Sequence, residues 1–514
     1  MTFGLGLTRS VVLNGLDGVL VDVEAHIGQG LPYFAVGGTP DPACAQAPDR
    51  VKPAAATSGV PVPPHRITVN LSPASIPKRG AGFDLSIAVA VLSASGQIRG
   101  GRARDVVHLG ELALNGRLRG VPGVLPAVLA AMRAGVRHVV VPLENVGEAQ
   151  LVDGVVVHGA ASLRDVIDWY TAAEEGVPLP PAPAPVPPVA PSCGGPDLAD
   201  VVGQEEARLA IELSATGGHH LLMSGPPGVG KTMLAERLVT VLPPLSREEA
   251  LETHAIRSVT GQIGEVTRLD HTPPFVAPHH SATLAAIVGG GSGVALPGAI
   301  SRAHHGVLFL DEAPEFKSSV LQTLRQPLES GEVIIARARQ MVRYPARFLL
   351  VLAANPCPCG RSYGKGADCT CKPMEIRTYV GRLSGPLLDR VDLQVHVPPL
   401  QRAAIGDATG EGSAVVAARV ARARAAQAER WSGRGWATNG LVPGHVLRRA
   451  PFRLPGAATA ALDRSLDRGA VTLRGYDRVL RVAWSVADLL GRDSPGAADV
   501  AMALGLRSGQ LVAA

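Results

Sequence analysis

Runs of apolar residues recur along the chain with two rhythms, and the change between them divides it into parts. In the first part, β-type runs such as "GVLVDVEAHI", "HRITVNLS" and "RHVVVP" are interleaved with helix-like stretches, "FDLSIAVAVLSAS" and "VLPAVLAAMRAG". That mixture predicts an α/β or α+β domain over residues 1–175. The segment "GVPLPPAPAPVPPVAPSCGGP" interrupts both rhythms. Proline at this density admits neither helix nor central strand, so residues 176–197 are expected to form an extended, semi-rigid linker. Beyond it, runs with continuous apolar centres, "HHLLMSG", "HGVLFLDE" and "RFLLVLAAN", alternate with helical patterns. Strands this apolar are expected to be covered on both faces, as in a parallel sheet between helices, here over residues 198–400. From about Gln401 the spacing becomes three-to-four, as in "AVVAARVARARAAQAERW" and "YDRVLRVAWSVADLLG", and residues 401–514 read as helical.

Composition narrows the class without naming a function. The 514 residues leave room for about three domains. A content of 46% hydrophobic, 18% charged and 4% aromatic residues excludes a disordered chain. No apolar run reaches the ~18 residues of a membrane span. Asp17 and Asp22 interrupt the first apolar stretch, and no basic region precedes it, so neither a secretory signal nor a membrane partner is expected. The chain therefore reads as cytoplasmic, with reduced thiols. A net charge of +5 permits nucleic-acid binding but does not argue for it.

Candidate chemistry begins at "GPPGVGKT", residues Gly225, Pro226, Pro227, Gly228, Val229, Gly230, Lys231 and Thr232. The stretch fits G-x-x-x-x-G-K-[ST], follows an apolar run and opens the helical "TMLAERLVTVL". In that context the glycines let backbone N–H groups curl around phosphates, Lys231 meets the β/γ oxygens and the Thr232 hydroxyl ligands Mg²⁺. "GVLFLDE" ends in two carboxylates. Asp311 is expected to complete the Mg²⁺ shell and Glu312 to polarise an attacking water. "RFLLVLAAN" ends in Asn355, whose amide can orient that water beside the γ-phosphate. ATP and Mg²⁺ are the cofactors this set calls for.

The order and spacing of these three pieces resemble an AAA+ ATPase. "APHHSAT…IVGGG…PGAISRAHHGVLFLDEAPEF", "NPCPCG", "LSGPLLDRVDL" and "VTLRGYDRVLRVAWSVADL" resemble, more specifically, the magnesium-chelatase-like AAA+ proteins of the YifB/ComM family, over essentially the whole chain. The resemblance implies a multidomain α/β architecture: a Lon-protease-like α+β N-terminal domain, an AAA+ P-loop α/β domain and a C-terminal helical lid. It makes Lys231 and Thr232 the Walker A pair, Asp311 and Glu312 Walker B, and Asn355 sensor 1. Arg390 in "GPLLDRVD" falls where hexameric relatives carry an arginine finger for the neighbouring subunit, and Arg474 in "TLRGYDR" at sensor 2. For each arginine the competing reading is a surface ion pair worth under ~1 kcal/mol. An arginine acting in trans implies a ring, a homo-hexamer whose assembly depends on ATP.

The Lon-like domain lacks the catalytic dyad of an active protease. Its turn reads "GAGFD" with Gly82 near the serine position, and "VPGVLPA" stands where the lysine is expected. Ser86 and Lys78 lie nearby in sequence, but a nucleophile needs its base within hydrogen-bond reach. Proteolysis is not expected. The family resemblance favours a DNA motor that moves branch points in homologous recombination or DNA integration, on branched or single-stranded DNA and without sequence specificity. The alternative is a chelatase-like or protein-remodelling ATPase acting on a protein partner.

Three smaller patterns complete the inventory. Cys357, Cys359, Cys369 and Cys371 form an insertion of two C-x-C pairs, residues 357–371. Four thiolates suffice for a tetrahedral Zn²⁺ shell, although the spacing is tighter than the usual C-x₂-C; redox-active or unligated thiols are the other readings. His279 and His280 are expected in a mobile loop with "VGGGSG", whereas His219/His220 and His304/His305 read as packing or capping pairs. Arg419, Arg422 and Arg430 lean to one side of a helix, as a track for a phosphate backbone or as a solvated face.

Overall fold

The computed structural model of the protein describes residues 4–98, 101–174, 178–182, 195–262, 268–291, 295–337, 340–362, 368–383, 385–399 and 410–507. Most of the proline-rich linker, including Cys193, and part of "VGGGSG" lie outside the described residues. The chain forms two compact units. Compactness does not follow chain order. Arg247–Asp270 and Ala336–Arg343, inside the stretch read as the ATPase core, group with Met1–Ala190 in the first unit.

The first unit is built on a seven-stranded mixed sheet. Its strands are β1 (Leu5–Asn14), β2 (Asp17–Gly28), β3 (Tyr33–Gly37), β4 (Arg66–Ser72), β5 (Val106–His108), β6 (His138–Pro142) and β7 (Val156–Ala160), in spatial order β3-β4-β2-β1-β5-β6-β7. β1 and β2 form an antiparallel hairpin from Leu5↔His26 to Asn14↔Asp17. β4 is antiparallel to β2, while β5, β6 and β7 run parallel to one another. The apolar helix Asp84–Ala94 is buried on nearly every side, which fits its lack of a polar face. The helix Arg247–Val259 is tied into this unit by the Ser258 hydroxyl, which donates to Glu148 at 2.6 Å, and by the Gly123 N–H, which donates to the Ser258 carbonyl at 3.0 Å.

The second unit contains a five-stranded sheet of β8 (Leu221–Ser224), β9 (Phe275–Val276), β10 (Val307–Leu310), β11 (Leu349–Ala354) and β12 (Leu393–His396), in order β9-β10-β11-β8-β12. All four pairings are parallel, with Leu310 opposite Leu352 and Ser224 opposite both Ala354 and His396. β8, β10 and β11 are buried at every residue because each pleat face has its own cover. On one face Leu221, Met223, Phe309, Val351 and Leu393 pack with Ala210, Leu234, Val479 and Val486 from helices. On the other, Leu222, Leu308, Leu350 and Leu352 pack with Ile300, Val320, Leu324 and Leu387. The C-terminal part is helical, with Ser413–Arg430, Gly456–Asp467, Leu473–Leu489 and Ala497–Arg507 the principal helices. No helix among the described residues is long and apolar enough to cross a membrane.

Candidate functional site

In a parallel sheet every strand presents its C-terminal end at the same edge, and that edge collects the polar residues singled out in the sequence. The phosphate-loop candidate leaves β8 at Gly225, Asp311 follows β10 and Asn355 follows β11. The loop closes onto the helix Lys231–Val241 through Gly230, whose φ of 89° is left-handed and suits glycine. Lys231 is largely buried; its ammonium donates to the carbonyls of Gly225 at 2.7 Å and Pro226 at 2.9 Å and to Asn355 Oδ1 at 3.0 Å. Burial lowers its pKa below the ordinary lysine value, and the charges of Asp311 and Glu312 oppose that shift. The Thr232 hydroxyl donates to Asp311 Oδ2 at 2.8 Å. An all-oxygen pair of hydroxyl and carboxylate, exposed at the start of a helix, fits Mg²⁺ by donor type.

Glu312 has a φ of 48°, in the left-handed region that only a small share of non-glycine residues adopt. Its N–H donates to Asp311 Oδ1 at 2.9 Å, so one carboxylate takes both the threonine hydroxyl and the glutamate backbone. His280 Nδ1 lies 3.4 Å from Glu312 Oε2. The histidine pair expected in a mobile loop thus has one ring against the candidate base, a contact that adjacency in sequence does not reveal.

Arg390 lies apart from this cluster. Its guanidinium donates to the Pro386 carbonyl at 2.5 Å and pairs with Glu329. Arg474 is exposed at the start of the helix Leu473–Leu489, with no hydrogen bond or ion pair among the described residues. The same unit holds a network that no sequence pattern announces, centred on buried Asp392. This carboxylate accepts from the His220 N–H at 3.0 Å and from Arg478 at 2.5 Å, with His219 Nδ1 3.9 Å away. Burial alone would raise the Asp392 pKa; Arg478, then the two histidines and Arg481, outweigh it and hold the carboxyl well below the usual range. The only trace in the sequence was a strand entry "HH" and a "DRVD" far apart, which nothing local connects.

The four cysteines come together: their ligand atoms all lie within 4.8 Å of one another. Cys357 is buried and the other three are partly exposed. Arg419 and Arg430 do not offer a free basic track. Arg419 pairs with Glu212 and Glu411, and Arg430 pairs with Asp488, leaving Arg422 exposed on that helix. In the first unit, the Ser86 hydroxyl donates to the Phe83 carbonyl at 2.8 Å and the Lys78 ammonium to the Pro73 carbonyl. Each of these groups is engaged with a different backbone carbonyl.

The chain matches the family models described as "Subunit ChlI of Mg-chelatase" over residues 23–145, "Magnesium chelatase, subunit ChlI" over 197–405 and "Magnesium chelatase, subunit ChlI C-terminal" over 410–507. It is 51% identical to an uncharacterised protein of Mycobacterium tuberculosis over 98% of each chain. It is 40% identical to competence protein ComM of Haemophilus influenzae over 98% of this chain and 97% of that one. It is also 39% identical to the Escherichia coli protein YifB over 95% of this chain and 94% of the relative. The parallel sheet with its phosphate-loop sequence and the near full-length identity agree: the chain belongs to the YifB/ComM family of magnesium-chelatase-like proteins.

Proposed function

We propose that the protein is an ATP hydrolase, an AAA+ motor that works as a homo-hexamer on branched or single-stranded DNA in the cytoplasm and moves strand junctions during recombination or DNA integration. The observation that carries the ATPase part is the convergence of Lys231, Thr232, Asp311, Glu312 and Asn355 at one sheet edge. Bound Mg²⁺ would supply charge neutralisation at the β- and γ-phosphate oxygens. Lys231 would exchange its loop carbonyls for phosphate oxygens, and Thr232 and Asp311, already paired, would hold the metal side of the nucleotide. Glu312 would accept the proton of the attacking water, and Asn355, freed from Lys231, would orient that water. Arg390 and Arg474 are the arginines proposed to complete the site, the first from a neighbouring subunit and the second from the C-terminal helices acting as a lid.

The DNA part rests on the family likeness to ComM and on no base-reading element. The ion-paired state of Arg419 and Arg430 moves the expected contact surface away from that helix. The N-terminal unit is read as a Lon-like domain without protease chemistry. A second reading has its own support in the family models, which all carry chelatase-subunit descriptions: an ATPase that remodels a protein partner. ATP turnover with forked or four-way DNA, wild type against Glu312→Gln, separates the two. The DNA reading expects stimulation by a DNA structure and displacement that stops in the variant. Turnover indifferent to every DNA structure would favour the protein-remodelling reading.

A further inference from the structure

The loop between Asn355 and the helix Pro373–Gly381 carries four thiols in a small volume. Cys357 Sγ lies 3.3 Å from Cys359 Sγ and 3.7 Å from Cys369 Sγ, and Cys359 and Cys369 are 3.7 Å apart. A tetrahedral Zn²⁺ with Zn–S bonds of about 2.3 Å has its sulfurs about 3.8 Å apart, close to this spacing. A disulfide would bring two sulfurs to about 2.05 Å, well inside each of these three separations. The backbone N–H of Ser362 points at Cys357 Sγ at 3.4 Å, as N–H groups do around metal thiolates.

The loop is also fastened to the nucleotide site. The Gly360 N–H donates to the Cys357 carbonyl at 3.0 Å, closing a turn between the first cysteine pair and the rest. Gly360 has a φ of 75°, and a Cβ there would stand 2.7 Å from Cδ of Pro227 in the phosphate loop. Two residues before Cys357, Asn355 accepts from the Lys231 ammonium at 3.0 Å.

We propose that Cys357, Cys359, Cys369 and Cys371 bind one Zn²⁺, and that this closed site braces the phosphate loop through Gly360 against Pro227. The zinc has no open coordination position and takes no part in hydrolysis; it holds the loop in the shape that phosphates require. The bracing half of the proposal rests on the nucleotide reading given above, whereas the metal half does not.

The experiment is elemental analysis of the purified full-length chain together with titration of a fluorescent ADP analogue. About one zinc per chain is expected. Wild-type chain with less than about a tenth of that overturns the site. The pair Cys369→Ser and Cys371→Ser should lose the zinc and weaken ADP binding about tenfold. Unchanged affinity in zinc-free, folded chain overturns the bracing. Stripping zinc from wild type with a chelator and restoring it should give the same loss and recovery, so the test stands if the serine variant fails to fold. Lys231→Ala should lose ADP and keep its zinc. Wild type that holds zinc but binds no nucleotide would sink the functional reading and the bracing while leaving the metal site in place.

Discussion

At Glu312 the backbone and the side chain ask for different residues. A φ of 48° favours glycine or asparagine, and a left-handed L-residue costs roughly 1–2 kcal/mol. The candidate chemistry asks for a carboxylate, here with Oε2 3.4 Å from His280 Nδ1, while the backbone N–H of the same residue donates to Asp311. Two outcomes follow for thermal unfolding and phosphate release. Glu312→Gly should leave the melting temperature unchanged or raise it, and Glu312→Val should cost about 1–2 kcal/mol, because a β-branched residue tolerates this region worst. Both should lower kcat about 10²–10⁴-fold while retaining nucleotide binding. A glycine variant that is clearly less stable than wild type would mean that the conformation is not strained.

At the scale of elements, buried charges hold helices to their neighbours, and each makes stability depend on a partner. In the first unit, Arg50 grips Asp84 at the start of the helix Asp84–Ala94 through two hydrogen bonds of 2.6 and 2.8 Å, with Asp84 fully buried. Asp84→Ala should cost about 3–5 kcal/mol in denaturant unfolding, since Arg50 would be left half-buried and unpaired. In the second unit, His219 is wholly buried and His220 partly so, and burial, opposed by Asp392, brings each from 6.5 to about 4. The unfolded chain then takes up protons near pH 6.5 while the folded chain takes them up only near pH 4. Stability contributed by the neutral rings is therefore complete above pH 6.5 and lost as pH falls toward 4. One histidine so shifted contributes on the order of 3 kcal/mol across that window. Melting temperatures from pH 7 to pH 4.5 should fall steeply in wild type and less steeply in His219→Gln. Equal slopes would remove His219 from the account. Below about pH 3.8 the depressed Asp392 adds a further loss of the same sign.

For the whole molecule, the question is whether one chain carries a complete catalytic site. Arg390 pairs with Glu329 and the Pro386 carbonyl, not with Asp311, Glu312 or Asn355. If it serves a neighbouring subunit, mixing Arg390→Ala chains with Lys231→Ala chains should restore measurable ATPase activity, because some interfaces join an intact loop to an intact arginine. Mixtures no more active than either variant alone, in assemblies that form normally, would count against action in trans. Glu329→Gln, which removes the ion pair and keeps the Pro386 contact, should leave this complementation intact.

Much of the second unit could be read from local pattern. Continuous apolar runs announced a two-faced parallel sheet, and Gly225 to Thr232 announced a turn between a strand and a helix, because both depend on neighbours within a few residues. The residues Asp311 and Asn355 were legible for the same reason, each standing at the end of a buried strand. What sequence could not reach was the set of contacts made across long separations. Asp392 meets His220 and Arg478, His280 meets Glu312, and Gly360 meets Pro227 only when the sheet and its loops are assembled. The grouping of Arg247–Asp270 with the first unit is likewise invisible in chain order. Periodicity and motif spacing determined which residues could do chemistry, since those are properties of short segments. Which arginines are spent on ion pairs, which thiols meet and which loop leans on the phosphate loop were decided by tertiary packing, because burial and charge pairing depend on everything that surrounds a side chain.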